Sequence, residues 1–495
     1  MSAATTTAPT GAGEATFDVH GIEAVPAADR TATATDQFWI WMGANIAPIN
    51  WVLGALGIVL GLSFLETMAV VIVGNLGGCA IFGLFSIMGH RTGVNMMVLT
   101  RMAFGRRGAY VPAAVQMLLT MAWIGVNTWV VLDLSLGALG KVGVHGGDGL
   151  KYAVAAVVMI VQVVISVWGF YAIKSFERWT VPITAAIMAL MTVLALTKSD
   201  IHLAHGTAHG ADKFTAITQL MTAIGVGWAI SWLVYAADYT RFVRPTESSR
   251  KVFWATGLGM FVPTVWLAGL GAAVASGTAG ADPSDLVISA FGVMSLPVLL
   301  LILHGPVATN ILNFYSCSLA ALTIGVRVAR WKVSLIAGVI ASAVLAVFVQ
   351  ADDFAGTFDN WMSSLIVWIS PWAAILLVEF FAVRRGRVDV AELYRDETRA
   401  RHGDVNVGAL VALALGLVAG WAWQYGLVTA MQGPVAVAVG NSDFSWLTGG
   451  GVAALAYWLL VARTDRRTAG AAPPPPSSAR VPPPAPAPER TLETA

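Results

Sequence analysis

The chain has 495 residues, of which 57% are hydrophobic and only 12% are charged. Soluble domains carry about twice that charged fraction, so the composition excludes an ordinary soluble enzyme and a disordered protein. The 29 Lys and Arg nearly balance the 28 Asp and Glu, and no bulk charge favours nucleic acid as a partner. The sequence therefore predicts an all-α protein that crosses a membrane many times.

Runs of about 20 apolar residues are long enough to cross a bilayer as a helix. Twelve such runs occur, and we number them spans 1 to 12. They cover residues 37–62, 67–88, 111–136, 152–173, 179–197, 215–237, 252–277, 297–324, 333–350, 358–383, 407–430 and 444–462. A shorter apolar piece at about 285–295 is interpreted as a separate surface helix.

The distribution of Lys and Arg predicts the orientation of these spans. With the N-terminus in the cytoplasm, 25 of the cations fall on the inner side and only four on the outer side. The four are Lys141, Lys151, Lys198 and Lys213. We therefore expect both termini in the cytoplasm and the protein in the plasma (inner) membrane.

Two spans contain residues that interrupt a helix. Span 1 reads WMGANIAPINWVLGALG, with Gly43, Asn45, Pro48 and Asn50 in an otherwise apolar run. Span 6 reads AIGVGWAISW, with Gly225 and Gly227 ahead of Trp228. Transporters often bind substrate where helices break in matching positions of two inverted halves. Glycine also serves close helix packing, as we expect for GNLGG at 74–78, so packing remains the alternative.

The five-span separation of these interruptions fits two inverted repeats of five helices. The first repeat would occupy 35–200 and the second 214–384, with spans 11 and 12 in 405–463. The tails, 1–34 and 464–495, are rich in Ala, Thr and Gly or in Pro, and we expect both to be disordered.

Spans 3 and 8 carry polar residues at helical spacing. Trp123 and Asn127 lie four residues apart in WIGVNTW, and ATNILNFYS in span 8 contains Thr309, Asn310 and Asn313. A buried carboxamide without partners costs several kcal/mol, so these residues either join helices or contact a ligand. Indole faces stack on flat rings, and Asn matches the amide edges of a nucleobase without adding charge. The predicted ligand is a small, neutral, planar heterocycle.

Few charged residues lie in the spans. All Lys and Arg can be placed in loops or tails, and the acids nearest the membrane are Glu66, Asp133, Asp238 and Glu379. Asp133 and His304 are candidates for proton coupling, with a structural role as the alternative for each. No zinc-ligand spacing, nucleophile elbow or phosphate-binding loop occurs, so we expect neither a metal site nor an enzyme.

At these residues the chain resembles the nucleobase:cation symporter-1 family, the group of purine-cytosine permeases, cytosine permeases and hydantoin transporters. The motifs that carry the resemblance are GIEAVPAADR, GNLGG, HRTGVNMMVLTRMAFGRRGAYVP, WIGVN, GVGW, AADYTRF and ATNILNFYS. The resemblance implies a leucine-transporter-like fold with two extra helices and a substrate between spans 1, 3, 6 and 8. It implies no cofactor beyond a coupling ion, Na⁺ or H⁺.

The resemblance also assigns residues. It implies that Trp123 and Trp228 contact the two faces of the substrate ring. Further substrate contacts would come from span 1, span 3, the start of the span 6 helix and span 8: Asn45, Asn127, Gly227, Ser231, Asn310 and Asn313.

Sodium-coupled relatives bind the ion between span 1 carbonyls and two adjacent hydroxyls of span 8. The corresponding positions here are Gly43, Ala44, Ile46, Ala47, Gly305 and Thr309. Ala308 replaces the first of the two hydroxyls. Because a hard cation needs oxygen ligands, proton coupling remains an alternative to sodium.

The sequence thus predicts a secondary transporter that imports a nucleobase or related neutral heterocycle with a cation across the lipid bilayer. Two alternatives keep the fold and change the substrate, to hydantoin or allantoin or to an amino acid. A third alternative is a transport-like receptor or scaffold with the proline-rich tail as its output.

Overall fold

A computed structural model describes most of the chain. The described residues are 21–47, 49–167, 170–198, 201–277, 287–288, 292–326, 328, 330–349, 354–395, 403–425 and 432–463. They are nearly all helical, and the one β-bridge recorded among them pairs Ala32 with Val243. Of the predicted surface helix at 285–295, only 287–288 and 292–295 are described, and the tails before 21 and after 463 and Pro48 lie outside the described residues.

The helices follow the predicted order. Spans 1 to 5 contain Ala34–Asn45 with Ile49–Val59, Phe64–Thr92, Tyr110–Lys141, Asp148–Val167 and Phe170–Lys198. Span 6 contains Gly210–Leu220, the π-helical Met221–Gly225, Val226–Ser231, the 3₁₀ turn Leu233–Tyr235, and Ala236–Thr240. Spans 7 to 10 contain Ser249–Gly277, Ser295–Ile302 with His304–Thr323, Arg330–Val349, and Phe354–Leu377 with the π-helical Val378–Val383. Spans 11 and 12 contain Val407–Ala422, and Ser445–Tyr457 with the π-helical Trp458–Ala462. Short helices between the spans are Met96–Leu99, Arg101–Phe104, Gly292–Met294, Val390–Tyr394 and Pro434–Ala438.

Helices lie at all twelve predicted positions, but fewer meet a strict test of length and apolar character. Within the described residues, eight helices are long and apolar enough to cross a membrane, and span 1 makes a ninth if its two bent halves are counted together. Spans 9 and 11 are shorter apolar helices, and span 8 is divided at Leu303. The all-helical architecture is as predicted, whereas the count of twelve full spans is not wholly reproduced.

One predicted boundary was wrong. The sequence places a loop between spans 4 and 5 at 174–178, where Lys174 and Arg178 interrupt the apolar run. The structure instead continues the helix Phe170–Lys198 through both cations. A cation ends an apolar window without ending a helix, because Lys and Arg are good helix formers.

Local sequence signals account for several helix ends. Thr33 caps the first helix and exchanges hydrogen bonds with Asp36, and Ser63 does the same with Glu66 for span 2. These are capping boxes, which satisfy backbone donors that a helix start leaves free. Span 2 ends at Gly93, whose φ of +70° is a left-handed conformation that favours glycine.

Eleven of the twelve spans pack in three groups, and span 5 contacts spans 1 and 8. Spans 1, 2, 6 and 7 pack on one another, and spans 3, 4, 8 and 9 form a second group. Spans 10, 11 and 12 form a third group, and span 10 contacts span 6. The first two groups meet where span 1 contacts span 8. Each of these two groups contains helices that correspond between the two predicted repeats, such as span 1 with span 6 and span 3 with span 8. The broken spans 1 and 6 therefore lie in the same group.

The segment 21–33 corrects the prediction of a disordered tail over 1–34. It lies across one end of the helices, held by the Arg30 Nε bond to the Val243 carbonyl (2.9 Å) and by Arg241 Nη1, which donates to the Gly21 carbonyl (2.8 Å). The Tyr394 hydroxyl donates to the Ile22 carbonyl (2.7 Å). Burial raises the pKa of Tyr394 to about 12, so this donor keeps its proton at physiological pH. Composition alone could not show that distant side chains bind this backbone.

Candidate functional site

Span 1 is broken in the middle of the bundle. Its helix ends at Asn45 and resumes at Ile49 with a bend of 57°. Asn45 Nδ2 donates to the Trp41 carbonyl (2.8 Å), and Asn50 Nδ2 donates to the Asn45 carbonyl (2.7 Å). The predicted interruption is confirmed, and the two asparagines brace the backbone on either side of it.

The interruption in span 6 is a π-helical turn. This turn covers Met221–Gly225, and the helix of Trp228 follows at Val226–Ser231. A Cβ at Gly227 would overlap the Thr222 carbonyl oxygen, so the π-turn needs glycine at that position. Gly74 of span 2 lies against Gly225, as the packing interpretation of GNLGG predicts. π-Helical turns are rare and often lie at functional sites.

The indoles of Trp123 and Trp228 meet between the broken spans. Their ring centroids lie 6.2 Å apart with an interplanar angle of 86°, which is an edge-to-face contact. Parallel faces that could hold a ring between them are therefore not present in this arrangement. The Trp228 indole N–H instead donates to Asn45 Oδ1 (2.7 Å). Asn45, predicted to contact substrate, thus orients Trp228.

A small cavity lies beside Trp123. It is lined by Trp123, Ser231, Trp232, Tyr235, Thr309 and Asn313. This cavity is far smaller than typical ligand pockets, which measure roughly 300–1,000 Å³, so a ring can enter only if these side chains move apart. Four of the six lining residues are among those predicted from the sequence.

Two lining residues were missed. Trp232 and Tyr235 lie four and seven residues after Trp228, so the helical spacing that paired Trp123 with Asn127 could have found them. Trp232 packs between Trp228 and Tyr235, with centroid distances of 6.0 and 5.2 Å. Trp228 does not itself line the cavity, and it packs behind Trp123 and Trp232.

The predicted amides divide into two groups. Asn313 lines the cavity, and its Oδ1 accepts a hydrogen bond from the Tyr235 hydroxyl (2.8 Å). Asn310 Nδ2 lies within hydrogen-bonding distance of the Ile124 carbonyl (3.0 Å), Thr128 Oγ1 (3.0 Å) and Gln162 Oε1 (2.9 Å). Asn310 therefore joins spans 3, 4 and 8.

Asn127 is buried, and its Nδ2 donates to the Trp123 carbonyl one turn earlier (3.0 Å). Ser231 Oγ likewise donates to the Trp228 carbonyl (2.7 Å). The structure thus gives Asn127 an intrahelical bond and brings Ser231 to the cavity wall.

These roles predict different effects for two neighbouring asparagines. Asn310→Ala would remove the carboxamide that bonds spans 3 and 4 to span 8 at this point, at a cost of about 1–3 kcal/mol. We expect it to lower the thermal midpoint of the purified protein more than Asn313→Ala does. Asn313→Ala should mainly weaken substrate binding. Ser342→Ala is the control, because the Ser342 hydroxyl donates to its own helix at Gly338. The opposite order of the two midpoints would contradict this division.

Oxygen atoms of spans 1 and 8 meet beside the cavity. Thr309 Oγ1 lies 2.9 Å from the Ala44 carbonyl oxygen and 3.0 Å from the Gly305 carbonyl oxygen. A Cβ at Gly305 would overlap the Ile46 carbonyl oxygen, so glycine permits span 1 to approach. The geometry brings together Ala44, Ile46, Gly305 and Thr309 of the predicted cation positions.

Pro48 explains why the Ala44 carbonyl is available. Proline has no amide hydrogen, so Ala44, four residues earlier, lacks its usual helical donor. The Ala47 carbonyl, by contrast, accepts from the Asn50 amide (3.0 Å). Such carbonyl and hydroxyl oxygens are the ligands that hard cations prefer.

The acids near the membrane lie away from the cavity lining. Glu379 Oε1 forms an ion pair with Arg384 (2.6 Å), and its Oε2 accepts from the Tyr457 hydroxyl (3.0 Å). Asp238 is buried and accepts from the Met96 amide (2.9 Å). In the part of the chain that the structure describes, no group of three His, Cys, Asp or Glu is placed to hold a metal. The side chain of His304 lies outside the described residues.

Two broken helices that face each other beside an aromatic cavity define a secondary transporter with a leucine-transporter-like fold. Solved structures share this fold. A nucleobase-cation-symport-1 family transporter, in a closed conformation with bromovinylhydantoin bound, matches with a TM-score of 0.71 at 22% identity. The match covers 89% of this chain and 94% of that one. A Na⁺-coupled sialic acid symporter matches with a TM-score of 0.61 at 11% identity, over 89% and 91% of the two chains.

The sequence model of a family described as permeases for cytosine/purines, uracil, thiamine and allantoin matches residues 24–449. The chain therefore belongs to this permease family. A putative purine-cytosine permease of Bacillus subtilis is 24% identical over 89% of this chain and 95% of its own length. A purine-cytosine permease of Emericella nidulans is 27% identical over 90% and 88%. A hydantoin permease of Microbacterium maritypicum is 26% identical over 62% and 64%.

Proposed function

We propose that the protein imports a neutral nucleobase of the cytosine or purine type together with Na⁺ or H⁺. The observation that carries this proposal is the cavity lining. The lining residues supply indole, phenol, hydroxyl and carboxamide groups. None of the six is charged, which suits a neutral ring with amide-like edges. The similarity to purine-cytosine permeases supports the same substrate class.

The packing of the spans supports alternating access. Spans 1, 2, 6 and 7 lie on one side of the cavity region and spans 3, 4, 8 and 9 on the other. In this proposal, one group rocks against the other around the bound substrate. Contacts that join the groups, such as Thr309 with the Ala44 carbonyl, then change with the conformation.

The proposed orientation places the segment 21–33 at the cytoplasmic side of the plasma membrane. Arg30, Arg101, Arg241 and Arg384 all bind backbone or side chains at this end. Cytoplasmic loops carry the excess of Lys and Arg. The cavity would then exchange with the outside through the opposite end.

The second candidate substrate is a hydantoin. It is favoured by the fold shared with the transporter that has bromovinylhydantoin bound, and by the hydantoin permease relative. Hydantoins share the planar ring and amide edges of nucleobases, so the cavity lining alone does not separate the two classes.

Uptake into proteoliposomes tests the proposal and separates these substrates. Purified protein is reconstituted, and labelled cytosine, adenine, hypoxanthine, uracil, allantoin and a hydantoin are each offered under an imposed Na⁺ or H⁺ gradient. We expect accumulation of cytosine or a purine that needs one of the gradients. Accumulation of the hydantoin alone would favour the second candidate. No accumulation of any of them would contradict both.

A gain of function at Ala308 tests the cation assignment. Ala308 is fully buried and stands where sodium-coupled relatives place a hydroxyl. We expect Ala308→Ser to add an oxygen ligand beside Thr309 and to lower the half-saturating sodium concentration for substrate binding several-fold. Ala320→Ser, also fully buried on span 8, is the matched control. Equal sodium dependence in both variants and the wild type would argue against this site.

A further inference from the structure

Span 6 begins with a stripe of polar side chains. Thr215, Thr218, Gln219 and Thr222 follow the spacing i, i+3, i+4 and i+7, which places them on one face of the helix. They lie at the end of span 6 opposite to Arg241. Polar groups within a membrane protein need partners, and the sequence alone names none for this stripe.

The turn that precedes span 12, at 440–443, packs on this stripe and bonds its side chains. Thr215 Oγ1 donates to the Gly440 carbonyl (2.9 Å), and Gln219 Nε2 donates to the Asn441 carbonyl (3.0 Å). Asn441 has a φ of +65°, a left-handed conformation that asparagine tolerates. The backbone of this turn is therefore shaped to follow the face of span 6.

Asp443 completes the contact. Its amide donates to Thr218 Oγ1 (3.1 Å), and its Oδ1 accepts from Thr222 Oγ1 (3.1 Å). The carboxylate also accepts from the Ser445 amide (2.8 Å), the Ser445 hydroxyl (2.7 Å) and the Tyr425 amide (3.0 Å). Asp443 is only 2% exposed, so one buried carboxylate joins span 6 to the ends of spans 11 and 12.

Thr222 lies inside the π-helical turn Met221–Gly225. Such a turn contains about one residue more than an α-helical turn, and one residue corresponds to a rotation of about 100° around a helix. If the turn relaxed to α-helix, the residues that follow would rotate relative to those before it. Those residues include Ser231, which lines the cavity, and Trp228, which packs behind it. The hydrogen bond between Thr222 and Asp443 therefore affects where these two side chains lie.

We propose that Asp443 is a positioning residue for substrate binding, which holds Thr222 and so fixes the π-helical turn that orients Trp228 and Ser231. This role gives spans 11 and 12, which lie outside the two repeats, a part in setting substrate affinity. The part of the test that measures uptake rests on the proposed function, whereas the part that measures hydrogen–deuterium exchange does not.

The test compares Asp443→Ala and Thr222→Val with the conservative Thr222→Ser. Thr448→Ala on span 12 is the control, because its hydroxyl bonds the Phe444 carbonyl (2.9 Å), with the Ala419 carbonyl of span 11 at 3.3 Å, rather than the stripe on span 6. Hydrogen–deuterium exchange of peptides covering 221–235 is measured on each purified protein. KM and Vmax for uptake are measured on the same variants.

We expect faster exchange at 221–231 in Asp443→Ala and Thr222→Val, and wild-type exchange in Thr222→Ser and the control. KM should rise about tenfold, equivalent to about 1.4 kcal/mol, while Vmax changes little. Unchanged exchange in both disrupting variants, or a lower Vmax with unchanged KM, would overturn the inference. If Asp443→Ala does not fold, the comparison of Thr222→Val with Thr222→Ser decides.

Failure of the proposed function gives a different pattern. A wild-type protein that transports none of the nucleobases would overturn the substrate assignment, and the exchange measurement would then decide the positioning role by itself.

Discussion

Replacing Trp123 with alanine is expected to abolish uptake while the protein still reaches the membrane. The indole of Trp123 lines the cavity and also receives the edge-to-face contact of Trp228. Stacking of a base on an aromatic side chain contributes about 1–3 kcal/mol, so its loss should weaken binding about 5- to 150-fold. Uptake and membrane abundance are measured together.

Trp228→Ala should also abolish uptake, although Trp228 stands behind the cavity wall. The variant removes the indole N–H that donates to Asn45 Oδ1 and the support of both Trp123 and Trp232. Trp254→Ala is the control, because Trp254 is 53% exposed on span 7. Wild-type uptake in both Trp123→Ala and Trp228→Ala would contradict an aromatic substrate site.

Thr309→Val should have the second large effect, a loss of cation-stimulated substrate binding. Valine keeps the shape of threonine but removes the hydroxyl that bonds the Ala44 carbonyl. The change deletes an oxygen ligand and leaves a buried carbonyl without its donor, at a cost of about 1–3 kcal/mol. Substrate binding is measured across sodium concentration and pH, and uptake should fall to about one tenth or less.

Two further variants test whether the effect is specific to the Thr309 hydroxyl. Thr309→Ser keeps the hydroxyl and should keep the cation dependence. Thr323→Val removes a buried hydroxyl that donates to the Leu319 carbonyl one turn earlier on the same helix (2.9 Å), and it should behave as the wild type. Cation stimulation that persists in Thr309→Val would show that the ion binds elsewhere.

Most of the architecture could be predicted from the sequence, because membrane helices follow from apolar runs and the breaks from proline and glycine. Pro48 and Gly227 mark the interruptions of spans 1 and 6. What the apolar runs could not show is where a helix continues past a charge, as at Lys174 and Arg178. They also could not show that 21–33 packs on the protein, since that packing depends on Arg241 and Tyr394, far away in the sequence.

The sequence predicted which residues lie near one another in the site better than it predicted what each side chain does there. The motif spacing and the family resemblance together pointed to Trp123, Ser231, Thr309 and Asn313, and all four line one cavity. They could not distinguish an amide that faces the cavity from one that joins helices, because both need the same residue type. Asn310 depends on Gln162 of span 4, and Asn45 on Trp228 of span 6, and neither partner can be identified from spacing along one helix.

The relative orientation of the indoles could not be predicted from the sequence. The family resemblance implies that Trp123 and Trp228 contact the two faces of a substrate ring, whereas the described indoles stand at 86° to each other, with Trp228 bonded to Asn45 and preceded by the π-turn of span 6. A substrate ring that enters this arrangement can stack on one indole and meet the edge of the other, unless the pair opens.

Direct binding of nucleobases to the purified protein tests the central claim, a neutral heterocycle held beside Trp123 with a coupled cation. Tryptophan fluorescence is followed while cytosine, adenine, hypoxanthine, uracil or allantoin is added, with and without sodium and at two pH values. We predict saturable quenching by cytosine or a purine that strengthens with sodium or at lower pH, and that disappears in Trp123→Ala. A folded wild-type protein that binds none of these compounds under any of the conditions would contradict the account.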